Sequence, residues 1–278
     1  MFRHLVLIAA AVVALCAPKA ARASGPEQVD IPRQEGTLRA LLYRPEGSGP
    51  FPAVIGLHGC GGVMGTSGAL TSRYQDWGQR LAKAGFVVLF PDSYGSRGLG
   101  PQCGVRSRAA RVDRERVADT ETARRWLQNQ SWVTPERISL LGWSNGGITT
   151  LWAVRPRAAA KGDGPDFRSA IAFYPGCRRL GDTAWSARVP TLILIGGADD
   201  WTSPAACQQM VAGARGRSAR VALVVYPGAY HDFDHPNRAI QVRTGYAFSV
   251  DGSGNVHTGT NPAARADALR RVSEWLAR

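Results

Sequence analysis

The stretch Ile138-Ser-Leu-Leu-Gly-Trp-Ser-Asn-Gly-Gly147 decides the fold of this chain. An apolar run ends at Gly142, Ser144 follows, and a run compatible with a helix begins after it. This is the pattern G-x-S-x-G between a strand and a helix, where a sharp turn lifts one serine hydroxyl above a sheet. That turn strains the serine backbone, and a Cβ atom at Gly142 or Gly146 would clash with its surroundings. The pattern therefore predicts Ser144 as a nucleophile.

Apolar runs alternate with helical patterns along most of the chain. Strands are predicted at 28–31, 37–43, 53–57, 86–90, 137–141, 169–174, 191–195 and 219–226. Helices are predicted at 71–84, 108–130 and 145–154, after Pro204, and after the cap Asn261 with its following proline. This alternation predicts an α/β fold with one doubly wound, mostly parallel sheet in a single domain. Ligands then bind at the carboxyl ends of the strands.

The first 23 residues have the pattern of a secretory signal peptide. A positively charged start precedes the apolar run Leu5–Ala17, which is too short to span a bilayer, and Ala21-Arg-Ala23 is a cleavage signal. Cys16 suggests lipid attachment as an alternative, but Leu15 before it fits such a site poorly. We therefore expect a mature domain of residues 24–278 that is periplasmic or secreted and is not inserted stably in a membrane.

The formal net charge is +13, and arginine carries almost all of the positive charge, since only three of the 34 basic residues are lysines. One interpretation of this excess of arginine is a solvated surface combined with a bias in the base composition of the genome. Another is an anionic substrate or an anionic envelope surface. We expect no nucleic-acid partner, because no basic run is interleaved with aromatic residues.

The turn after the first core strand is His58-Gly-Cys-Gly-Gly62. Backbone N–H groups in a glycine-rich turn can point at a developing oxyanion, and the N–H groups of Cys60 and Asn145 are the predicted pair. The alternative is a close-packed glycine turn without a function. His58 is predicted to form a structural hydrogen bond and not to act in catalysis.

The next turn, Asp92-Ser-Tyr-Gly-Ser-Arg-Gly98, contains two candidates for substrate binding. Tyr94 and Arg97 are predicted to bind a carboxylate or carbonyl, since a guanidinium matches carboxylate geometry. The alternative pairs Arg97 with Asp92. Trp143 and Trp201 are also predicted to contact the substrate.

Two neighbouring carboxylates are candidates for the residue that orients a catalytic histidine. Asp199 fits the spacing G-x-x-D counted from Gly196, whereas Asp200 fits a count of four back from Pro204. We favour Asp199 and expect the other aspartate to cap the following helix.

His231 follows the last long strand in a turn of glycine and proline, where its imidazole can reach a serine. The order Ser144, aspartate, His231 is that of the α/β-hydrolases. His235 and His257 are alternative candidates for the catalytic histidine. His231 and His235 also form H-x-x-x-H, but no helix or third ligand accompanies them, so no metal and no cofactor is predicted.

Together these motifs resemble the dienelactone hydrolase family of α/β-hydrolases. The resemblance is carried, in order, by 58–62, 91–98, 142–147, 196–202 and 226–231. It implies hydrolysis of small esters or lactones by a nucleophile, an aspartate and a histidine. The namesake enzymes have cysteine where this chain has Ser144 and glutamate where it has Gly59. The resemblance thus implies a serine esterase of this superfamily and not a particular ester.

Four cysteines remain after cleavage of the leader: Cys60, Cys103, Cys177 and Cys207. In the strand order expected for the superfamily, the strands that precede Cys60 and Cys103 are neighbours, and so are those that precede Cys177 and Cys207. We therefore expect the bridges Cys60–Cys103 and Cys177–Cys207. The alternative is four reduced, buried thiols.

The leading functional prediction is an exported serine hydrolase that cleaves small esters or lactones through an acyl-enzyme. A peptidase of the same fold and a non-catalytic binding protein on a hydrolase scaffold are the alternatives. The sequence indicates no acyl-chain preference or oligomeric state, and it leaves open whether the polar segment 251–262 lines the site.

Overall fold

An eight-stranded sheet forms the centre of the computed structural model, which describes residues 25–34, 36–65, 68–157 and 164–278. The strands follow the order β1-β2-β4-β3-β5-β6-β7-β8. They are β1 (Glu27–Arg33), β2 (Gly36–Tyr43), β3 (Phe51–Leu57), β4 (Val87–Pro91), β5 (Val133–Trp143), β6 (Ala170–Phe173), β7 (Thr191–Gly196) and β8 (Val221–Tyr226). The predicted signal peptide at 1–23 lies outside the described residues.

Strands β3 to β8 are mutually parallel, whereas β1 and β2 form an antiparallel hairpin whose second strand pairs with β4. Every residue of β4, β6 and β7 is buried. Continuous apolar runs suit strands that are covered on both faces. The predicted doubly wound, mostly parallel sheet is confirmed.

Six α-helices occupy the connections within the described residues. They are α1 (Ser72–Lys83), α2 (Glu115–Gln128), α3 (Asn145–Ala153), α4 (Arg178–Gly181), α5 (Pro204–Gly213) and α6 (Pro262–Leu276). Five lie close to the predicted positions, except at the start of α2, and the short α4 was not predicted. The Asn261 side chain accepts the backbone N–H of Ala264, so the predicted cap is confirmed.

The predicted helix at 108–130 is wrong over its first seven residues. Helix α2 begins only at Glu115, because the backbone of Arg114 has φ −133° and ψ −87°. The Glu115 carboxylate instead accepts the backbone N–H of Arg111, and the Arg108 guanidinium donates to the carbonyl of Gln102. These bonds fold the segment into turns, which lie beside the candidate site.

Both predicted disulfides are present, and in each the Cα atoms lie 4.9 Å apart. Cys60–Cys103 joins the connections that follow the neighbouring strands β3 and β4. Cys177–Cys207 joins those that follow β6 and β7. The prediction that rested on strand order is therefore confirmed.

A small hairpin lies between β8 and α6, formed by β9 (Gln241–Arg243) and β10 (Val256–Thr258). Among the residues that the structure describes, the exposed large apolar side chains all belong to this region: Ile240, Val242, Phe248 and Val250. No helix within the described residues is both long and apolar enough to span a membrane.

Candidate active site

Ser144 occupies the sharp turn between β5 and α3, with φ +52° and ψ −113°. A Cβ atom on Gly142 would collide with the Gly146 carbonyl, and one on Gly146 would collide with the Leu57 carbonyl. Both glycines are thus required for close approach of backbone segments. The predicted strained turn is present, and only 9% of Ser144 is exposed.

His231 and Asp199 form a buried pair beside this turn. The Nδ1 atom of His231 lies 2.8 Å from Oδ2 of Asp199, and neither side chain is exposed. The other Asp199 oxygen accepts the backbone N–H groups of Trp201 at 3.0 Å and Thr202 at 2.8 Å. Since Nδ1 is engaged, Nε2 is the nitrogen available for chemistry, and it has no hydrogen-bond partner within the described residues.

The rival residues are engaged elsewhere. Asp200 holds His257, whose Nδ1 atom lies 2.6 Å from its carboxylate. His235 has its Nε2 atom 3.1 Å from the Ser72 hydroxyl and accepts the backbone N–H of Asn237 at 3.2 Å. Asp199 is therefore the carboxylate that meets His231, as the sequence favoured, and the expected helix cap at Asp200 is wrong. Ser203 caps α5 instead.

Two aromatic rings enclose the His231 imidazole. The centroid of Tyr174 lies 4.3 Å away and that of Trp201 lies 4.5 Å away. Trp201 also stacks on Tyr246, which precedes β10. These contacts restrict the orientation of the imidazole.

The turn after β3 carries the predicted oxyanion donor Cys60. The N–H of Gly59 is already used by the Tyr74 hydroxyl at 2.8 Å, and the Cys60 carbonyl accepts the N–H of Gln102 at 2.7 Å. The N–H of Cys60 makes no hydrogen bond in the described part of the chain. Ser144 and Asn145 also line the cavity that Cys60 borders, so this N–H is available near Ser144.

His58 is structural, as predicted. It is fully buried, and its Nδ1 atom lies 2.8 Å from the Gly59 carbonyl. Burial lowers the pKa of His58 well below its usual value, and the nearby Arg116 charge lowers it further. The ring is therefore a neutral donor.

Three predicted substrate contacts are wrong, because their side chains bind or pack against other parts of the protein and line neither cavity beside Ser144. Tyr94 is 1% exposed and donates to Oδ1 of Asn145. Arg97 forms a bidentate pair with Asp119, which replaces the expected alternative partner Asp92. Trp143 is fully buried.

Asp234 was not anticipated from the sequence. This fully buried carboxylate accepts hydrogen bonds from Trp77 at 2.8 Å, Trp143 at 2.8 Å and Tyr174 at 2.6 Å. It thus ties the loop of His231 to the residue that precedes Ser144. Only its position three residues after His231 could have signalled this role.

Arg73 and Asp232 form a second buried pair next to His231. Their side chains approach to 2.5 Å. Burial acts to raise the pKa of Asp232, but the Arg73 charge, followed by His231 and Arg238, holds that pKa well below its ordinary value. Asp232 therefore stays ionised between Arg73 and Arg238, at a position where its backbone adopts φ +65°.

Two cavities meet at Ser144. The first has a volume of about 500 Å³ and the second about 560 Å³, and Cys60, Ser144 and Trp201 line both. His231 lines only the second of them. Phe248 to Val250 line the first. Of the polar segment 251–262, only Thr258 lines a cavity, the second one, so the segment contributes little to the site.

No group of three His, Cys, Asp or Glu side chains within the described ranges is arranged to hold a metal ion. His235, one half of the H-x-x-x-H spacing, is engaged with Ser72 and Asn237.

A model of the dienelactone hydrolase family matches residues 38–278. The chain belongs to this family. Family membership makes the protein a carboxylic ester hydrolase that acts on small-molecule esters or lactones.

This hydrolase is also similar to individual proteins. A Methylorubrum extorquens protein assigned as a carboxymethylenebutenolidase is 26% identical over 224 residues, which are 74% of this chain and 71% of the relative. A crystal structure assigned as a dienelactone hydrolase from Klebsiella pneumoniae has a TM-score of 0.70 at 21% identity, covering 91% of this chain and 98% of that one. Thermogutta terrifontis esterase 2, phosphorylated by paraoxon, has a TM-score of 0.61 at 21% identity, covering 78% and 88%. The structural likenesses confirm the α/β-hydrolase fold.

Proposed function

We propose that this dienelactone hydrolase family member is a serine hydrolase in which Ser144, His231 and Asp199 form the catalytic triad. The observation that carries the proposal is the buried 2.8 Å contact between His231 and Asp199, next to a serine on a strained turn. A carboxylate at Nδ1 sets the imidazole tautomer and stabilises the imidazolium that forms when Nε2 takes a proton.

The reaction follows from these positions. The Ser144 oxygen attacks the ester carbonyl carbon while its proton moves to Nε2 of His231. The carbonyl oxygen becomes an oxyanion and accepts the N–H groups of Cys60 and Asn145. The bond between the carbonyl carbon and the leaving oxygen then breaks, and His231 returns the proton to that oxygen.

Water completes the cycle. It attacks the acyl-enzyme and gives its proton to His231. The carbonyl–Ser144 bond then breaks while His231 returns that proton to the Ser144 oxygen, which releases the acid and regenerates the free enzyme. In a lactone the leaving oxygen stays attached to the acyl group, so a hydroxy acid is released in this second step.

The experiment that tests this proposal compares Ser144→Ala with wild type on a 4-nitrophenyl ester. We expect kcat to fall by at least about 10⁴-fold while the circular dichroism spectrum is unchanged. A fluorophosphonate should label Ser144 in the wild type, which peptide mapping identifies. Ser273→Ala, on the exposed face of α6, is the matched control and should retain full activity. Turnover by folded Ser144→Ala near the wild-type rate would refute the assignment.

We also propose that the protein is exported after cleavage before Ser24. The leader pattern and the two disulfides support this, since disulfides persist in oxidising compartments. N-terminal sequencing of protein from the periplasm or medium should begin at Ser24. Recovery of full-length chain in the cytoplasm alone would contradict it.

A further inference from the structure

The two cavities have different roles if His231 acts as proposed above, and this inference rests on that function. His231 must protonate the leaving oxygen, so the leaving alcohol has to lie on its side of Ser144. His231 lines the second cavity and does not line the first. The alcohol therefore belongs in the second cavity, and the acyl group in the first, which we name the acyl cavity.

The acyl cavity combines an apolar wall with a cationic one. Its apolar lining includes Val112, Ile148, Trp152 and Phe248. Its charged lining consists of five arginines and one aspartate: Arg106, Arg108, Arg111, Arg178, Arg179 and Asp113. An acyl group that fits such a lining is apolar along its length and negatively charged at its end.

The single carboxylate of the lining does not neutralise these arginines. Asp113 is shared by Arg179 at 3.0 Å and Arg111 at 4.0 Å, and Arg111 also lies 3.5 Å from Glu115. Within the described residues, Arg106 and Arg178 form no ion pair. An excess of positive charge therefore borders the cavity.

Arg108 is the most constrained of the five. Its Nε atom donates to the backbone carbonyls of Gln102 at 3.0 Å and Val105 at 3.1 Å, and its guanidinium lies 5.3 Å from the Phe248 ring centroid. Burial lowers the pKa of Arg108, Tyr94 opposes this with a smaller effect, and the nearby Arg116 charge lowers the pKa further. A bound anion would stabilise this partly desolvated cation.

The second cavity is less suited to an anion. Arg73 lies 2.5 Å from Asp232 and 3.5 Å from Asp234, and Arg238 lies 2.5 Å from Asp232. Two of its three lining arginines are thus neutralised, and only Arg243 among them forms no ion pair within the described residues, against at least two such arginines in the acyl cavity. The charge distribution favours the acyl cavity.

We propose that the acyl cavity binds the free carboxylate of a dicarboxylic acid, so that the preferred substrates are monoesters of such acids. The ester carbonyl lies at Ser144, the apolar chain or ring packs along Ile148 and Trp152, and the distal carboxylate meets the arginines. Hydrolysis releases the dicarboxylic acid and an alcohol.

The test uses pairs of esters that differ only in charge. 4-Nitrophenyl hydrogen glutarate and 4-nitrophenyl valerate have acyl chains of equal length, with and without a terminal carboxylate. Background hydrolysis without enzyme is subtracted. We expect wild-type kcat/KM to be higher for the glutarate, and this preference to decline with rising salt, because exposed ion pairs are screened.

The variant Arg106→Gln/Arg178→Gln removes two exposed charges from the acyl cavity. We expect the ratio of glutarate to valerate kcat/KM to fall about fivefold or more at low ionic strength. Arg215→Gln, an exposed arginine beyond α5 that lines neither cavity, is the control and should leave the ratio unchanged. Intrinsic reactivity differences between the two esters cancel when ratios are compared across variants.

A second pair of esters tests which of the two cavities binds the anion. 4-(Butyryloxy)benzoate carries a negative charge on its leaving alcohol, and 4-(butyryloxy)benzamide is its neutral counterpart. We expect no preference for the anion in this pair. A preference for this anion but not for glutarate would overturn the assignment, as would a glutarate preference that survives in the double variant. Valerate turnover that depends on Ser144 without any glutarate preference would overturn the acyl-anion proposal alone, whereas turnover independent of Ser144 would overturn the triad.

Discussion

Arg116, on α2, is 1% exposed, and its guanidinium donates to the side-chain oxygen of Asn145. Its other terminal nitrogen donates to the His58 carbonyl at 2.7 Å. Asn145 directly follows Ser144, and His58 lies two residues before Cys60. One buried guanidinium therefore bridges the two turns that carry the proposed oxyanion donors, and it adds positive charge behind them.

Replacement of Arg116 by methionine should lower kcat by about 10- to 100-fold with little change in KM. The loss falls on kcat because the oxyanion forms only in the transition state, and one oxyanion donor is typically worth a factor of about 10²–10³. Arg116→Lys should recover part of the loss, since it restores the charge. Steady-state kinetics on a 4-nitrophenyl ester measures both constants.

The control for this prediction is Arg124→Met. Arg124 is equally buried on the same helix but pairs with Glu121 at 2.9 Å and does not contact the site. It should lower the melting temperature without lowering kcat of the folded enzyme. An Arg116→Met enzyme that is less stable but keeps kcat within about twofold would limit Arg116 to a structural role.

Asp199→Asn should lower kcat by about 10³- to 10⁴-fold, because an amide in this position favours the wrong histidine tautomer. Asp200→Asn should change kcat by less than about threefold, since Asp200 holds His257 and not His231. Both variants keep the shape of the side chain. A larger effect at Asp200 would move the triad acid to the neighbouring position.

The candidate triad could be predicted from the sequence because each of its members follows the end of a core strand. Parallel strands bring their carboxyl ends to one edge of the sheet, so Ser144, Asp199 and His231 had to lie near one another. The disulfides followed from the same reasoning about neighbouring strands.

Side-chain direction could not be predicted in this way. Tyr94 and Trp143 also lie near strand ends, but their side chains turn into the core. The contacts of Asp234 with Trp77 and of Arg116 with His58 join residues far apart in the chain, and no local pattern encodes them. The pattern at 108–114 was helical, but hydrogen bonds from the Arg108 side chain to the Gln102 carbonyl and from the Arg111 backbone N–H to the Glu115 carboxylate overrode local propensity.

Stability should decline as the pH falls from about 6.5 toward 4, in part through His235. Burial lowers the pKa of His235 to about 4, and the charges of Arg73 and Arg238 add to this effect. The unfolded chain then binds a proton near pH 6.5 that the folded chain does not bind. The free energy of unfolding therefore falls on acidification by up to about 1.4 kcal/mol per pH unit for this histidine.

Urea unfolding between pH 4.5 and pH 7.5 measures this dependence. His235→Gln should reduce the slope below about pH 6.5 and leave it unchanged above that value, where both states bind no proton at this position. The comparison at pH 7.5 isolates any loss of contacts with Ser72 and Asn237. Equal slopes for variant and wild type in the acid range would show that His235 is not a source of the pH dependence.

The disulfides should differ in their effect on catalysis. Cys60→Ser/Cys103→Ser keeps the backbone N–H of Cys60 but frees its turn from the segment at Cys103, so we expect kcat to fall several-fold. Cys177→Ser/Cys207→Ser removes a bridge beside the acyl cavity, so we expect a higher KM and a kcat within about twofold of wild type. Each pair should lower the free energy of unfolding by about 2–4 kcal/mol. Kinetics, urea unfolding and non-reducing peptide mapping test these outcomes together. An unchanged kcat in the Cys60→Ser/Cys103→Ser variant would mean that the Cys60–Cys103 bridge does not position the oxyanion turn.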